Sequence, residues 1–304
     1  MLRPDAYNYE DLMTPRQAMP LTPSEMSTDY NILSRKNYHT HTRLCKHASG
    51  WVDDYCQAAL AQNVSVLGFS DHTPLPDGRW LSVRMTLEEL PEYAAAVHQA
   101  KTAYPGLTVL AGMECEHVPE YLDFFRETLL GQFELDYLVG ALHAYLYRGE
   151  WVGLYGNTIT DDQLAAYADH HVAAINSGLY AFIAHPDLFG VPLRGWTPAA
   201  DACSRTIVEA AVACQVPLEI NAYGLRKKMV VDSDGCRHLY PLRRFWEIAA
   251  EYDDLQVVVN SDAHLPEDVW GNTDDAIRLA QELRLRVVND SLDEDIRIRN
   301  AYHR

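Results

Sequence analysis

The sequence predicts an α/β protein built on a parallel sheet, and three observations carry that prediction. Seven short apolar runs alternate with longer amphipathic ones, the pattern of successive βα units. Nearly every apolar run ends in a histidine, aspartate or glutamate, so the strands would converge on one polar mouth. The length, 304 residues, is long for one average domain but ordinary for a barrel.

Taken in order, residues 1–34 stand apart. Pro4, Pro15, Pro20 and Pro23, with four methionines and scattered polar residues, interrupt any periodicity. An extended arm is expected here, with a short helix near Thr14 to Met19. Residues 35–304 would form the domain. Strands are expected at 36–40, Val64–Phe69, Thr108–Met113, Tyr137–Leu142, Tyr180–Ala184, Pro217–Ile220 and Gln256–Asn260. Helices are expected near 51–62, 86–103, 119–131, 161–177, 198–214, 242–252 and 272–284. Thr86 ahead of Glu88 and Glu89, and Thr160 ahead of Asp161 and Asp162, suit N-caps with acidic first turns. Pro241 fits the first turn of its helix.

The bulk numbers exclude some classes. A hydrophobic fraction of 48% supports a large core, and no uninterrupted apolar run reaches the ~18 residues of a membrane span. A formal charge of −18 argues against a nucleic-acid surface, which needs basic patches. The first residues lack the apolar stretch of a signal peptide, and the six cysteines are scattered, so a cytoplasmic location is expected.

The chemistry sits at the strand ends. His39 and His41 are one residue apart, so an extended backbone points both imidazoles to one face. His47 follows after a short turn. Later runs end in Asp71-His72, Glu114-Cys115-Glu116, His143, His185-Pro186-Asp187, Glu219-Ile220-Asn221 and Asp262-Ala263-His264. Mixed imidazole and carboxylate donors suit Zn²⁺, Mn²⁺ or Fe²⁺, and no clustered cysteines mark a structural zinc site. A metal centre is expected. His98, His117, His170, His171, His238 and His303 lie off the strand ends and read as structural or surface residues, and Cys45 and Cys115 as buried small hydrophobes.

These motifs, in this order, resemble the polymerase-and-histidinol-phosphatase (PHP) superfamily of metal-dependent phosphoesterases, and most of all its histidinol-phosphatase branch. The likeness runs through His39-Thr40-His41, Leu44-Cys45-Lys46-His47, Ser70-Asp71-His72-Thr73-Pro74, Gly112-Met113-Glu114, Leu142-His143, Ala184-His185-Pro186-Asp187, Glu219-Ile220-Asn221 and Ser261-Asp262-Ala263-His264. It implies a distorted (β/α)7 barrel with three divalent metal ions at the C-terminal ends of the strands. The implied ligands are His39, His41, His47, His72, Glu114, His143, His185, Asp262 and His264. Glu114 would bridge two metals, completed by His39, His41 and Asp262, while His72, His143 and His47 would serve the third. A hydroxide bridging two metals would attack phosphorus, with Glu114, Asp262 and His264 as catalytic residues and Asp262 a conceivable proton donor to the leaving group.

The implied substrate is a small phosphate monoester, first of all L-histidinol phosphate, which would place the enzyme in histidine biosynthesis. Arg226 is the expected phosphate ligand, with Arg194 and then Arg79 and Arg84 behind it, and Glu219 and Asn221 are further candidates. An amino group on the substrate would seek Glu116, Asp187 or Glu219. The segment from Ala144 to Gly156 departs from the branch and would shape the pocket. Rival readings are an esterase for nucleotides, sugar phosphates or phosphodiesters, a barrel kept only for binding, and an amide hydrolase.

Overall fold

The computed structural model describes residues 34–303 apart from 157 and 234, with side chains described as far as 297. The expected arm lies outside the described residues but for Ser34. Strands are numbered in chain order: β1 Lys36–Asn37, β2 Val66–Phe69, β3 Thr108–Glu116, β4 Tyr137–Ala141, β5 Ala144–Tyr147, β6 Glu150–Gly153, β7 Phe182–Ile183, β8 Leu218–Asn221, β9 Val230–Asp232, β10 Gly235–Arg237, β11 Gln256–Asn260 and β12 Arg286–Val287. The helices are α1 Val52–Ala61, α2 Leu90–Ala103, α3 Asp161–Asn176, α4 Pro198–Cys214, α5 Arg243–Ala249, α6 Thr273–Glu282 and α7 Asn289–His303.

Eight strands form one sheet in the order β1-β2-β3-β4-β7-β8-β11-β12, and every pairing is parallel. The sheet curls until its first strand meets its seventh. His41 N donates to Ala263 O at 2.8 Å and Ala263 N to His39 O at 3.3 Å. Below that seam, side chains replace the backbone ladder. Tyr38 N donates to Asn260 Oδ1 at 2.9 Å, and Ser261 N to Asn37 Oδ1 at 3.0 Å. Asn289, the first residue of α7, ties β11 to β1 by accepting from Val259 N and donating to Lys36 O. These asparagines close a barrel that two-residue strands could not close by themselves.

The barrel interior holds Tyr38, Val66, Leu110, Tyr137, Phe182 and Val258, and Leu292 and Ile296 of α7 pack into the same cluster. Tyr137 fits because two neighbours lack a Cβ: a Cβ on Gly68 would stand 2.2 Å from its hydroxyl, and one on Gly112 would stand 2.5 Å from its ring. Its hydroxyl donates to Tyr38 O at 2.7 Å. A second, larger cluster packs helices against the sheet's outer face.

Several expectations change. The sheet has an eighth strand, β12, which is two residues long and carries no apolar run. The expected helix at 86–103 begins at Leu90, because Glu89 turns back to accept from Thr86 N at 2.7 Å and holds residues 86–89 in a turn. Thr160 does cap α3, with Gln163 completing a reciprocal capping box. Pro241 stands before α5 rather than in its first turn, since the helix starts at Arg243 with Leu242 as its cap. The region expected as helix 119–131 is a 3₁₀ turn, Pro119–Tyr121, followed by the π-helical Phe124–Gln132. The segment after His143 folds as an antiparallel hairpin, β5–β6.

Candidate metal centre

Each strand end delivers its side chain through a specific local device. Beyond β1, residues 39 to 41 continue alongside β11 through the Thr40–Ala263 bridge, which sends both imidazoles to the same side. Thr42 then caps a 3₁₀ turn, and Lys46, in the left-handed region at φ 69°, swings the chain back to present His47. Asp71 pins this loop by accepting from Thr42 N at 3.0 Å and Thr42 Oγ1 at 3.2 Å. Burial raises the Asp71 carboxyl to about 6. At the far strands the backbone itself is strained: His185 has φ 30° and Asp262 φ 50°, rare for residues with a Cβ and typical of functional sites.

Glu114 is the hub. Its Oε2 lies 2.8 Å from His72 Nδ1 and 3.5 Å from both His39 Nε2 and His41 Nε2. Its Oε1 lies 2.9 Å from His185 Nε2 and 3.7 Å from His143 Nε2. Asp262 Oδ1 lies 3.0 Å from His41 Nε2, 3.4 Å from His264 Nδ1 and 3.6 Å from His39 Nε2. His47 closes the outer side, its ring centroid 4.8 Å from that of His264 and 5.3 Å from that of His72. All nine residues singled out as ligands therefore meet at one place.

The donor set fits divalent metal. Despite these short separations, Glu114 Oε2, Asp262 Oδ1 and His39 Nε2 are buried without an aligned hydrogen bond, and so are the other ring nitrogens, Nδ1, of His41 and His185. Orphaned buried polar atoms are costly, and a cation is what such convergent lone pairs satisfy. Burial acts to raise the Glu114 carboxyl, but His72, His39 and His143 outweigh it and hold it well below the usual range. Asp262 is held down in the same way, against burial, by His39 and His264. Burial keeps His72 and His264 well below their ordinary pKa and brings His47 down to about 4. His39 moves the other way, since Glu219, Asp262 and Glu114 overcome its burial. Three-residue groupings within metal reach include His39–His41–Glu114, His72–Glu114–His143, His41–His72–His264 and Cys45–His47–His264, so Glu114 is shared by two of them.

A ring of buried carboxylates and amides orients these donors. Glu219 Oε1 accepts from His39 Nδ1 at 2.8 Å and Asn260 Nδ2 at 2.9 Å, while Oε2 accepts from His185 N at 3.1 Å and Asn221 Nδ2 at 2.8 Å. Asn221 also donates to Asp262 Oδ2 at 3.1 Å. Glu116, two residues beyond Glu114 on β3, accepts from His143 N at 2.6 Å and Ala144 N at 2.9 Å, with His143 Nδ1 at 3.1 Å.

Above the cluster opens a cavity of about 180 Å³, lined on its inner side by His41, His47, His72, Glu114, His143, His185, Asp262 and His264. Its outer side is aromatic and basic: Trp80, Tyr155, Tyr223, Tyr240, Arg84 and Lys227. Here the substrate expectations are corrected. Arg226 lies outside this lining, because its guanidinium donates to Gly271 O at 2.5 Å and Ser261 O at 2.7 Å and sits 3.4 Å from Asp268. It braces the loop that carries Asp262. The next residue, Lys227, faces the cavity instead, its ammonium 3.6 Å above the Tyr223 ring, which stacks on His264. Burial brings the Lys227 ammonium down to about 7. A basic residue was expected in this loop, but register alone could not say which of three neighbours turned inward.

Arg194 also lies outside the lining and donates to the carbonyls of Val191 and Leu193. Glu219 and Asn221 are fully buried behind the cluster, where they bond to the candidate ligands His39, His185 and Asp262. Glu116 is committed to His143. Asp187, raised by burial to about 6, accepts from Leu242 N and Trp246 Nε1 and fixes α5. Arg84, one of the arginines placed behind Arg226, does reach the cavity. It is 3% exposed and donates to Thr73 O at 2.8 Å. Arg79 does not line the cavity, but stacks on the aromatic residues beside it.

Comparison with known proteins gives concordant matches. The model of the PHP domain matches residues 37–223. A protein of Deinococcus radiodurans named "Probable histidinol-phosphatase" is 32% identical over 261 residues, covering 82% of this chain and 94% of the relative. Among solved structures, one from Listeria monocytogenes superposes with a TM-score of 0.65 at 19% identity, covering 79% of this chain and 99% of its own. The histidinol phosphate phosphatase of Lactococcus lactis, complexed with zinc, L-histidinol and phosphate, superposes with a TM-score of 0.60 at 14% identity, covering 84% and 95%.

Proposed function

This chain belongs to the PHP family, and from that premise we propose that it is a metal-dependent phosphatase converting L-histidinol phosphate to L-histidinol and inorganic phosphate, a step of histidine biosynthesis. The observation that carries this reading is the meeting of nine imidazole and carboxylate donors, five of their atoms lacking a hydrogen-bond partner, on the floor of a cavity with a buried lysine on its wall. The zinc, L-histidinol and phosphate bound in the Lactococcus lactis structure support the same assignment.

His39, His41, His47, His72, Glu114, His143, His185, Asp262 and His264 would hold the metal, taken as three divalent ions of zinc, manganese or iron. Such ions lower the pKa of bound water toward about 7 and offset charge that develops on a phosphoryl group. The chain's own residues do the rest. Glu219 and Glu116 fix the His39 and His143 rings so that one nitrogen of each faces the cluster. Lys227 presents its ammonium to the phosphate dianion from the cavity wall, and Arg84 adds a second positive charge there. Asp262, held ionised, serves as an acceptor and leaves the leaving-group proton to another donor.

Cavity size favours a monoester of a small alcohol. A cavity of about 180 Å³ is smaller than the ~300–1,000 Å³ typical of sites for larger ligands, which suits a small alcohol half. The test is phosphate release by metal-loaded protein from L-histidinol phosphate, p-nitrophenyl phosphate, AMP and bis(p-nitrophenyl) phosphate. We expect histidinol phosphate to lead in kcat/KM. Equal or better turnover of AMP or the diester would overturn the assignment.

A further inference from the structure

The outer wall of the cavity has a construction that the hydrolytic centre does not explain. Trp80 lines the cavity, yet its backbone is held at φ 58°, a conformation that bulky side chains rarely adopt and that concentrates at working sites. What holds it there is a cluster of rings and cations. The indole of Trp151, on strand β6 of the hairpin that follows His143, meets Trp80 edge-to-face at 5.4 Å between centroids. The Arg79 guanidinium lies 5.6 Å from the Trp80 ring, 5.4 Å from Trp151 and 5.7 Å from Tyr121. The Arg84 guanidinium lies 5.2 Å from the Trp80 ring centroid. Two loops from different parts of the chain thus clamp one indole at the mouth of the cavity.

The facing chemistry defines what the indole meets. Among the described residues, the carboxylates that line the cavity are Glu114, Glu116 and Asp262. All three are engaged by the histidine cluster, so the organic half of a substrate finds aromatic surface there. Gly153, on the same hairpin, also lines the cavity, and a Cβ placed on it meets nothing within 4 Å. The hairpin therefore leaves open space at Gly153 on its side of the cavity.

We propose that Trp80 is a specificity residue that stacks on the ring of the substrate alcohol, with Trp151 and Arg79 as positioning residues and the gap at Gly153 admitting the ring. The inference rests on the phosphatase reading above and names the class of ester that the site selects: a small phosphate monoester carrying a flat, weakly basic ring. An aromatic face recognises such a ring through stacking and, when the ring is protonated, through cation–π attraction.

The experiment compares L-histidinol phosphate with O-phosphoethanolamine, which keeps the amine and the phosphate but has no ring. For Trp80→Ala, KM for histidinol phosphate should rise by about 10-fold or more, and kcat/KM for phosphoethanolamine should fall by a much smaller factor. Trp151→Ala should raise the same KM, and Trp151→Phe should restore it. Gly153→Leu, which has open space for its side chain and so spares the fold, should discriminate against the ring-bearing ester alone. Binding of L-histidinol by calorimetry, in the presence of inorganic phosphate, should weaken in parallel. A wild-type preference for histidinol phosphate that survives Trp80→Ala and Gly153→Leu would overturn the clamp and leave the phosphatase reading standing. If the wild type instead prefers phenyl phosphate over both, and Trp80→Ala removes that preference, stacking on Trp80 stands while the basic ring and the histidinol assignment both fail. A wild type indifferent to the ring would sink the clamp.

Discussion

Glu219→Gln is the most informative single substitution, because the structure sets its consequence atom by atom. Four donors converge on the two carboxylate oxygens: His39 Nδ1 and Asn260 Nδ2 on one, His185 N and Asn221 Nδ2 on the other. A glutamine of the same shape offers one acceptor oxygen and one NH₂. Whichever way the amide is turned, two donors then face its NH₂ at close to 3 Å. Each buried donor left without an acceptor costs about 1–3 kcal/mol. If the oxygen stays with His39, the backbone of His185 is released; if it turns to His185, the His39 ring loses the bond that aims Nε2 at Glu114. Either outcome disturbs a candidate ligand without removing one. Loss of such an orienting partner typically costs 10- to 100-fold in metal affinity or activity, about 1.4–2.7 kcal/mol. Zinc affinity by chelator competition and kcat/KM for L-histidinol phosphate should both fall by that factor, with the native fold retained by circular dichroism. Wild-type zinc affinity together with wild-type turnover in the Gln variant would refute this account of the buried ring.

Further outcomes follow from the corrected cavity wall and from the core. Lys227→Met should lower kcat/KM by about 10- to 100-fold, mostly through KM, and Lys227→Arg should recover part of it; the scale is that of a charged hydrogen bond, about 1.5–3 kcal/mol. Arg226→Met removes a buried guanidinium that binds several carbonyls, so it should lower stability by about 3–5 kcal/mol in denaturant titration, with a much smaller effect on KM than Lys227→Met. The His171 ring, fully buried in α3, is pushed by burial from 6.5 down to about 3. The unfolded chain then binds the proton more readily than the folded one, so stability is intact above pH 6.5 and is lost as pH falls toward 3. Between pH 7 and pH 5 this amounts to about 2 kcal/mol, and urea titrations of His171→Gln should show a correspondingly weaker loss over that window.

The sequence made the sheet and the donor set legible for one reason. Parallel strands end in a common mouth, so a list of strand-end residues such as Glu114, His143 and Asp262 is already a list of neighbours. What it hid depends on contacts remote in sequence. The barrel seam rests on side-chain bonds of Asn37, Asn260 and Asn289, whose partners no local pattern identifies. Strand β12 has too few residues to show a period. Among Arg226, Lys227 and Lys228, arginine's planar fork and the place of Arg226 just after Gly224 favoured the first, yet the carbonyls of Ser261 and Gly271 claim it and leave Lys227 facing the cavity. Glu219 illustrates the same limit. Its position marked it as part of the site, but only its four donors reveal that it serves His39 and His185.

The most direct measurement is phosphate release from L-histidinol phosphate by one protein sample in three states: as purified, stripped by a chelator with metal content verified, and reloaded with zinc or manganese. The account predicts that activity disappears with the metal and returns with it, while the chain stays folded in all three states. Undiminished hydrolysis by protein verified to be free of metal would contradict it.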